Sequence, residues 1–164
     1  MQVMQYSKGW PFHPFFPYEK EDMWWIIRLF LQNKIDTVKP EELFRDTAER
    51  GKLRSLEVLV DYGGVDPSAD DNNALRIAAW NGHTSIVEYL CGLDVERGID
   101  PSARENEALG RAAEAGRIDI VKLLCNLDAS RGVDPSARNN HALRIAINRG
   151  HYNIVRFLRN LQGL

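Results

Sequence analysis

The chain is expected to fold as an all-α solenoid of stacked helix-turn-helix units, with an N-terminal helical cap. Three observations lead there. The tetrapeptide Asp-Pro-Ser-Ala recurs at Asp66, Asp100 and Asp134, 34 residues apart each time. The copies extend well beyond it: of the thirteen positions in 97–109 and in 131–143, ten are identical. Each copy also carries two short segments whose apolar residues recur at helical spacing. Self-similarity at such a period marks a stacked repeat, in which each unit buries its apolar face only against its neighbours.

The second unit, 65–98, shows the plan. Pro67 has a fixed φ and pushes Asp66 out of the α region, so Val65 to Ala69 is extended and turn-like. Asp70, Asp71, Asn72 and Asn73 are N-cap residue types, and an inner helix is expected over 74–81. Gly82 stops it in the left-handed position that follows many helices. An outer helix is expected over 84–93, with Ile86, Val87, Leu90 and Leu93 on one face. Arg97 and Gly98 close the loop into the next copy.

The units 99–132 and 133–164 repeat this plan. Stop glycines fall at Gly82, Gly116 and Gly150. Capping residue types recur at Ser85, Asp119 and Asn153. The buried stripe runs Ile86/Val87/Leu90, then Ile120/Val121/Leu124, then Ile154/Val155/Leu158. Ala74/Ala78, Ala108/Ala112 and Ala142/Ala146 keep the inner helices slim enough for close approach. A fainter first unit occupies 41–64, with Pro40 at the first helical position, Gly51 as its stop, and Leu53, Leu56 and Leu59 in its outer helix. It is offset from the next unit by 31 residues instead of 34.

The 164 residues carry a net charge of -2, with 44% hydrophobic and 27% charged side chains. That balance fits one soluble array and argues against a nucleic-acid partner. No apolar run approaches the ~20 residues needed to span a bilayer, so no membrane association is expected. The first residues do not resemble a secretory signal, and a cytoplasmic, reducing location is expected. Cys91 and Cys125 occupy equivalent places in consecutive units. Packed helices lie about 8–10 Å apart, while a disulfide needs Cα atoms within about 7 Å, so both cysteines are expected to be free.

The first forty residues divide into an aromatic, Pro-rich segment over 1–19 and a capping helix with linker over 20–40. Nine of the fifteen aromatic residues lie within the first thirty positions. Pro11, Pro14 and Pro17 would share one edge of a polyproline II helix. Two readings stand: a docking peptide for a partner's aromatic groove, or a lid over the open front of the solenoid.

The motif Ala-Leu-Arg-Ile-Ala-Ala-x-x-Gly-His, followed by Ile-Val-x-x-Leu, resembles the ankyrin repeat. It matches at Leu75, Ala78, Ala79, Gly82, His83, Val87 and Leu90. Equivalent matches fall at Leu109, Ala112, Gly116, Val121 and Leu124, then at Leu143, Ala146, Gly150, His151, Val155 and Leu158. The resemblance covers about 41–164 and looks like the short-finger, Asp-Pro-Ser-Ala variant found in amoebae and giant viruses. The family's Thr-Pro dipeptide is replaced by Asn73-Ala74, Glu107-Ala108 and His141-Ala142, and its Asp-x-x-Gly hairpin is missing, so the finger is expected to be cropped.

In an ankyrin-like stack the inner helices line a concave face and the outer helices form its back. Positions that the repeat frame leaves free are then the recognition candidates: Arg76, Trp80, Asn81, Arg104, Glu105, Glu114, Arg138, Asn139, His141, Arg144, Asn148 and Arg149. Trp80 is the sharpest, because Trp and Arg are enriched among interface hot spots. Charge is graded along the array. Glu57, Asp61, Asp66, Asp70 and Asp71 crowd the front. From 135 to 164 there are five arginines and no acidic residue.

No Gly-rich phosphate loop, Cys-x-x-Cys or His-Glu-x-x-His occurs. His83 and His151 follow equivalent stop glycines, as structural residues would. The expected function is a non-catalytic protein-protein interaction module, an adaptor or scaffold needing no cofactor, metal or small-molecule substrate. The alternative is a structural subunit held permanently in a larger complex through its aromatic N-terminus and Arg-rich C-terminal repeat.

Overall fold

The computed structural model describes residues 40–163, except 62–63, 94, 128 and 132. The aromatic segment and the expected capping helix lie outside the described residues. Four helix pairs follow one another. They are α1 (Pro40–Arg50) with α2 (Leu53–Asp61), α3 (Ala69–Asn81) with α4 (Thr84–Gly92), α5 (Ala103–Glu114) with α6 (Ile118–Cys125), and α7 (Ala137–Arg149) with α8 (Tyr152–Gln162). Single 3-10 turns, Val95–Arg97 and Ala129–Arg131, lead from one pair to the next. No strand occurs among the described residues.

The inner helices α1, α3, α5 and α7 pack side by side in chain order, and α2, α4, α6 and α8 form an outer row with sparser contacts. Each layer is therefore a wedge, packed more closely against its neighbours on its inner side than on its outer side. Small residues permit the closer inner packing: Ala78, Ala79, Ala112, Ala113 and Ala146 are fully buried. The outer helices supply the larger apolar volume: Val87, Leu90, Val121, Leu124, Ile154 and Leu158 are fully buried. Full burial of such a side chain contributes roughly 1.5–3 kcal/mol.

The recurring tetrapeptide is a β-turn. Ala69, Ala103 and Ala137 donate their N–H to the carbonyls of Asp66, Asp100 and Asp134 at 3.1–3.2 Å. Ser68, Ser102 and Ser136, with φ near -88° and ψ near 0°, occupy the third position of a type I turn. Proline stands second, where its fixed φ suits that turn. The aspartate closes it: Asp66 Oδ1 accepts from the Ser68 N–H at 2.9 Å and from its hydroxyl at 2.7 Å. The other two copies form the same pair of bonds.

The segment after the turn differs from expectation. Asp70, Asp71 and Asn72 do not cap the inner helix; all three are left-handed, with φ of 54°, 55° and 63°. Arg104, Glu105 and Asn106 do the same, as do Arg138, Asn139 and Asn140. Each non-glycine residue held there costs roughly 1–2 kcal/mol. The third residue of each trio is asparagine, which tolerates the region better than most. Asn72 and Asn106 are buried, and their side chains bond to the next layer. A tertiary contact thus holds the chain in a conformation that local preference disfavours.

Candidate recognition surface

On the inner face, α3 and α5 enclose an open cleft of about 400 Å³ lined by residues including Asn73, Arg76, Trp80, Arg104, Glu107 and Arg111. Trp80 is 38% exposed at its rim. The Arg111 guanidinium carbon lies 5.7 Å from the Trp80 ring centroid, within cation–π range. Arg111 also bonds to Glu107 Oε1 at 3.2 and 3.3 Å.

Arg76 forms the floor. It is only 9% exposed. It donates to Glu107 Oε2 at 3.3 Å, to the Asp70 carbonyl at 3.2 Å and to Asn73 Oδ1 at 3.1 Å. Burial pushes its pKa down from the usual arginine value, and the nearby Glu107 carboxylate opposes that shift. Arg104 also reaches Glu107, at 3.7 Å, and pairs with Asp71 at 3.1 Å. One carboxylate therefore faces three guanidiniums, while Glu49 also lines the cleft and Asp71 pairs with Arg104, so the charges nearly balance.

The other expected residues fall into two groups. Glu105–Arg138 at 3.1 Å continues the Asp71–Arg104 pairing along the left-handed turns, one layer on. Nearer the helix C-termini, Arg149 pairs with Glu114. These pairs are largely exposed, and exposed pairs contribute about 0–1 kcal/mol each. They orient side chains more than they hold the array together. Asn81 is turned back onto its own helix, donating to the Ile77 carbonyl at 3.0 Å. Arg144 reaches the Asn139 carbonyl at 3.5 Å, and Asn148 is exposed. The His141 ring lies over Gly110, where an added Cβ would come within 3.0 Å of it.

Sequence reasoning did not single out Glu107 and Arg111, although they line the cleft. Their four-residue separation on one helix was the available signal. It also passed over Asn72, Asn106 and Asn140, whose recurrence at the 34-residue period could have revealed them.

The stop glycines take left-handed φ values as expected, and the following residue stitches the layers. The Nε2 atoms of His83 and His151 lie 2.8 and 3.0 Å from the carbonyls of Glu49 and Glu114. Arg117 serves the third layer, donating to the Trp80 carbonyl at 3.3 Å. These side chains lie across Gly51, Gly116 and Gly82 respectively.

Cys91 and Cys125 are free. Burial pushes their thiols up to about 11 and about 12. Among the described residues no group of three or more His, Cys, Asp or Glu could hold a metal ion. No described helix is long and apolar enough to cross a membrane.

Two family models match the chain, both for ankyrin repeats: one for many copies over residues 46–90, the other for three copies over 97–163. Among solved structures, the chain is similar to an ankyrin repeat family protein from Legionella pneumophila, with 27% sequence identity and a TM-score of 0.67. The match covers 81% of this chain and 40% of that one, so this chain spans about two fifths of that protein's length. No curated protein matches it.

Proposed function

We propose that this chain, which belongs to the ankyrin-repeat family, is a non-catalytic adaptor that binds a protein partner on its inner-helix face. Ankyrin repeats are in general protein-protein interaction modules. The observation that carries the finer reading is Trp80, a large aromatic side chain left 38% exposed at the rim of a cleft lined by Arg76, Arg104 and Arg111. The core does not need this indole, whereas an aromatic beside arginines is the composition of an interface hot spot. The complementary partner segment would offer an apolar side chain to the Trp80 ring and a carboxylate to the arginines. The stacked layers would present that surface rigidly, limiting the ordering entropy of association.

The test is affinity capture from the source lysate with three proteins: wild type, the inner-face double variant Trp80→Ala/Arg104→Glu, and the outer-helix variant Glu88→Lys. Captured proteins are identified by mass spectrometry, and helical circular dichroism is recorded for each bait. The reading expects the double variant to lose a partner that wild type and Glu88→Lys both retain, with all three spectra alike. Loss on the outer face alone, with the inner-face variant binding as wild type, would overturn it.

A further inference from the structure

The outer helices carry a pattern that the core does not use. At one position in each layer, stepping by 31, 34 and 34 residues, stand Glu57, Glu88, Lys122 and Arg156. They belong to α2, α4, α6 and α8 and so form one row across the outer face. The sign of charge changes once along it, between the second and third layers. Glu88, Lys122 and Arg156 are exposed, and none forms an ion pair among the described residues. Glu57 differs, because Arg54 holds its carboxylate at 3.0 Å.

The next residue in each layer is apolar: Val58, Tyr89, Leu123 and Phe157. All four are half-buried. Tyr89, Leu123 and Phe157 pack on the core with one side, which leaves the other turned outward. A single half-buried apolar residue is ordinary. Here they stand in register beside a charged row, and an apolar strip flanked by charge is the anatomy of a protein interface.

We propose that this outer face is a homodimer interface, in which two copies meet through α4 and α6 about a two-fold axis that runs parallel to these helices and between them. Such an axis keeps height along the helices and reverses the order of the layers, so each residue faces a member of its own row. Glu88 faces the partner's Lys122, and Lys122 faces the partner's Glu88. Tyr89 faces the partner's Leu123, and Val58 the partner's Phe157. The flanking positions fit the same operation: Arg54 meets the partner's Asn153, Ser85 the partner's Asp119, and Asp61 the partner's Asn160. No like charges are opposed. A row that runs from acidic to basic is complementary to its own reverse, and this self-complementarity selects a second copy as the occupant. The exposed ion pairs set the geometry more than the affinity, and the strip is narrow, so the dimer is a weak one. The surface is separate from the Trp80 cleft, so either proposal can fail alone.

Sedimentation velocity is run on the full chain from about 1 to about 200 μM. The proteins are wild type, Glu88→Lys, Lys122→Glu, the double variant Glu88→Lys/Lys122→Glu, and Trp80→Ala. Wild type should pass from monomer to dimer across this range. Each single reversal should weaken dimerisation at least ~10-fold, because like charges then meet at two places. The double variant should regain it. So should an equimolar mixture of the two single variants, whose dimer pairs opposite charges at both places. Trp80→Ala should dimerise as wild type does. The reversed residues are exposed, so circular dichroism should be the same for all five proteins. A wild type that stays monomeric, a dimer indifferent to Glu88→Lys, or single variants that fail to associate when mixed would overturn the proposal.

Discussion

Asn72 Oδ1 accepts the backbone N–H of Asp100 at 3.0 Å, and this one bond ties a left-handed turn in one layer to the β-turn that opens the next. The same pairing recurs between Asn106 and Asp134. The asparagine meets two demands at once: it tolerates positive φ, and its amide oxygen reaches a buried donor. Removing it separates the two effects. Asn106→Ala should destabilise the array by about 2–4 kcal/mol, combining an unpartnered N–H with the left-handed penalty. Asn106→Gly should cost less than alanine, because it loses the bond but accepts the backbone. Chemical denaturation of both variants checks this ranking; equal losses would show that φ contributes nothing.

The stop glycines offer a similar separation. Gly116 and Gly150 share φ of 74°, but a Cβ on Gly116 would lie 2.7 Å from the His151 ring, while one on Gly150 would meet nothing. Gly150→Ala should therefore show the backbone penalty alone, about 1 kcal/mol. Gly116→Ala should exceed it, and Gly116→Val should exceed both because a β-branched side chain resists positive φ. Thermal midpoints in the order wild type, Gly150→Ala, Gly116→Ala, Gly116→Val are expected.

Asp134 provides a pH signature. Hydrogen bonds from the Ser136 hydroxyl and N–H hold its carboxyl below the usual carboxylate value. A depressed folded-state pKa means that the unfolded chain binds the proton more readily. The stabilisation is therefore complete above the unfolded value of about 3.9 and is lost as pH falls through the lower folded value. Asp134→Asn should flatten the acid limb of the stability curve and leave its slope near neutrality unaltered, as thermal midpoints across the acid range would record.

The two thiols report on opening of the layers. With Cys91 raised to about 11 from 9.0, its thiolate fraction at neutral pH falls on the order of 100-fold. Alkylation of Cys91 and Cys125 in the native protein should be correspondingly slow and should accelerate steeply across the unfolding transition. Rapid labelling of either residue without denaturant would show that its layer opens locally.

Much of this architecture was legible in the chain. The 34-residue period, the alanines and aliphatic stripe at helical spacing, and the glycine after each inner helix are local signals. Each acts within one unit, so counting residues reveals it. The clefts and joints were not legible in the same way. The expectation that Asp70 to Asn73 would cap a helix followed their intrinsic preference, but a bond from Asp100, 28 residues away, holds Asn72 in a left-handed turn instead. Arg76 was expected among surface residues, yet Glu107 of the next layer draws it to the floor of the cleft. Sequence periodicity encodes what each layer is, because backbone preference and amphipathic spacing are properties of neighbouring residues. Which polar groups meet between layers depends on how the wedges stack, and that was decided only when the chain brought residues some thirty positions apart within hydrogen-bonding distance.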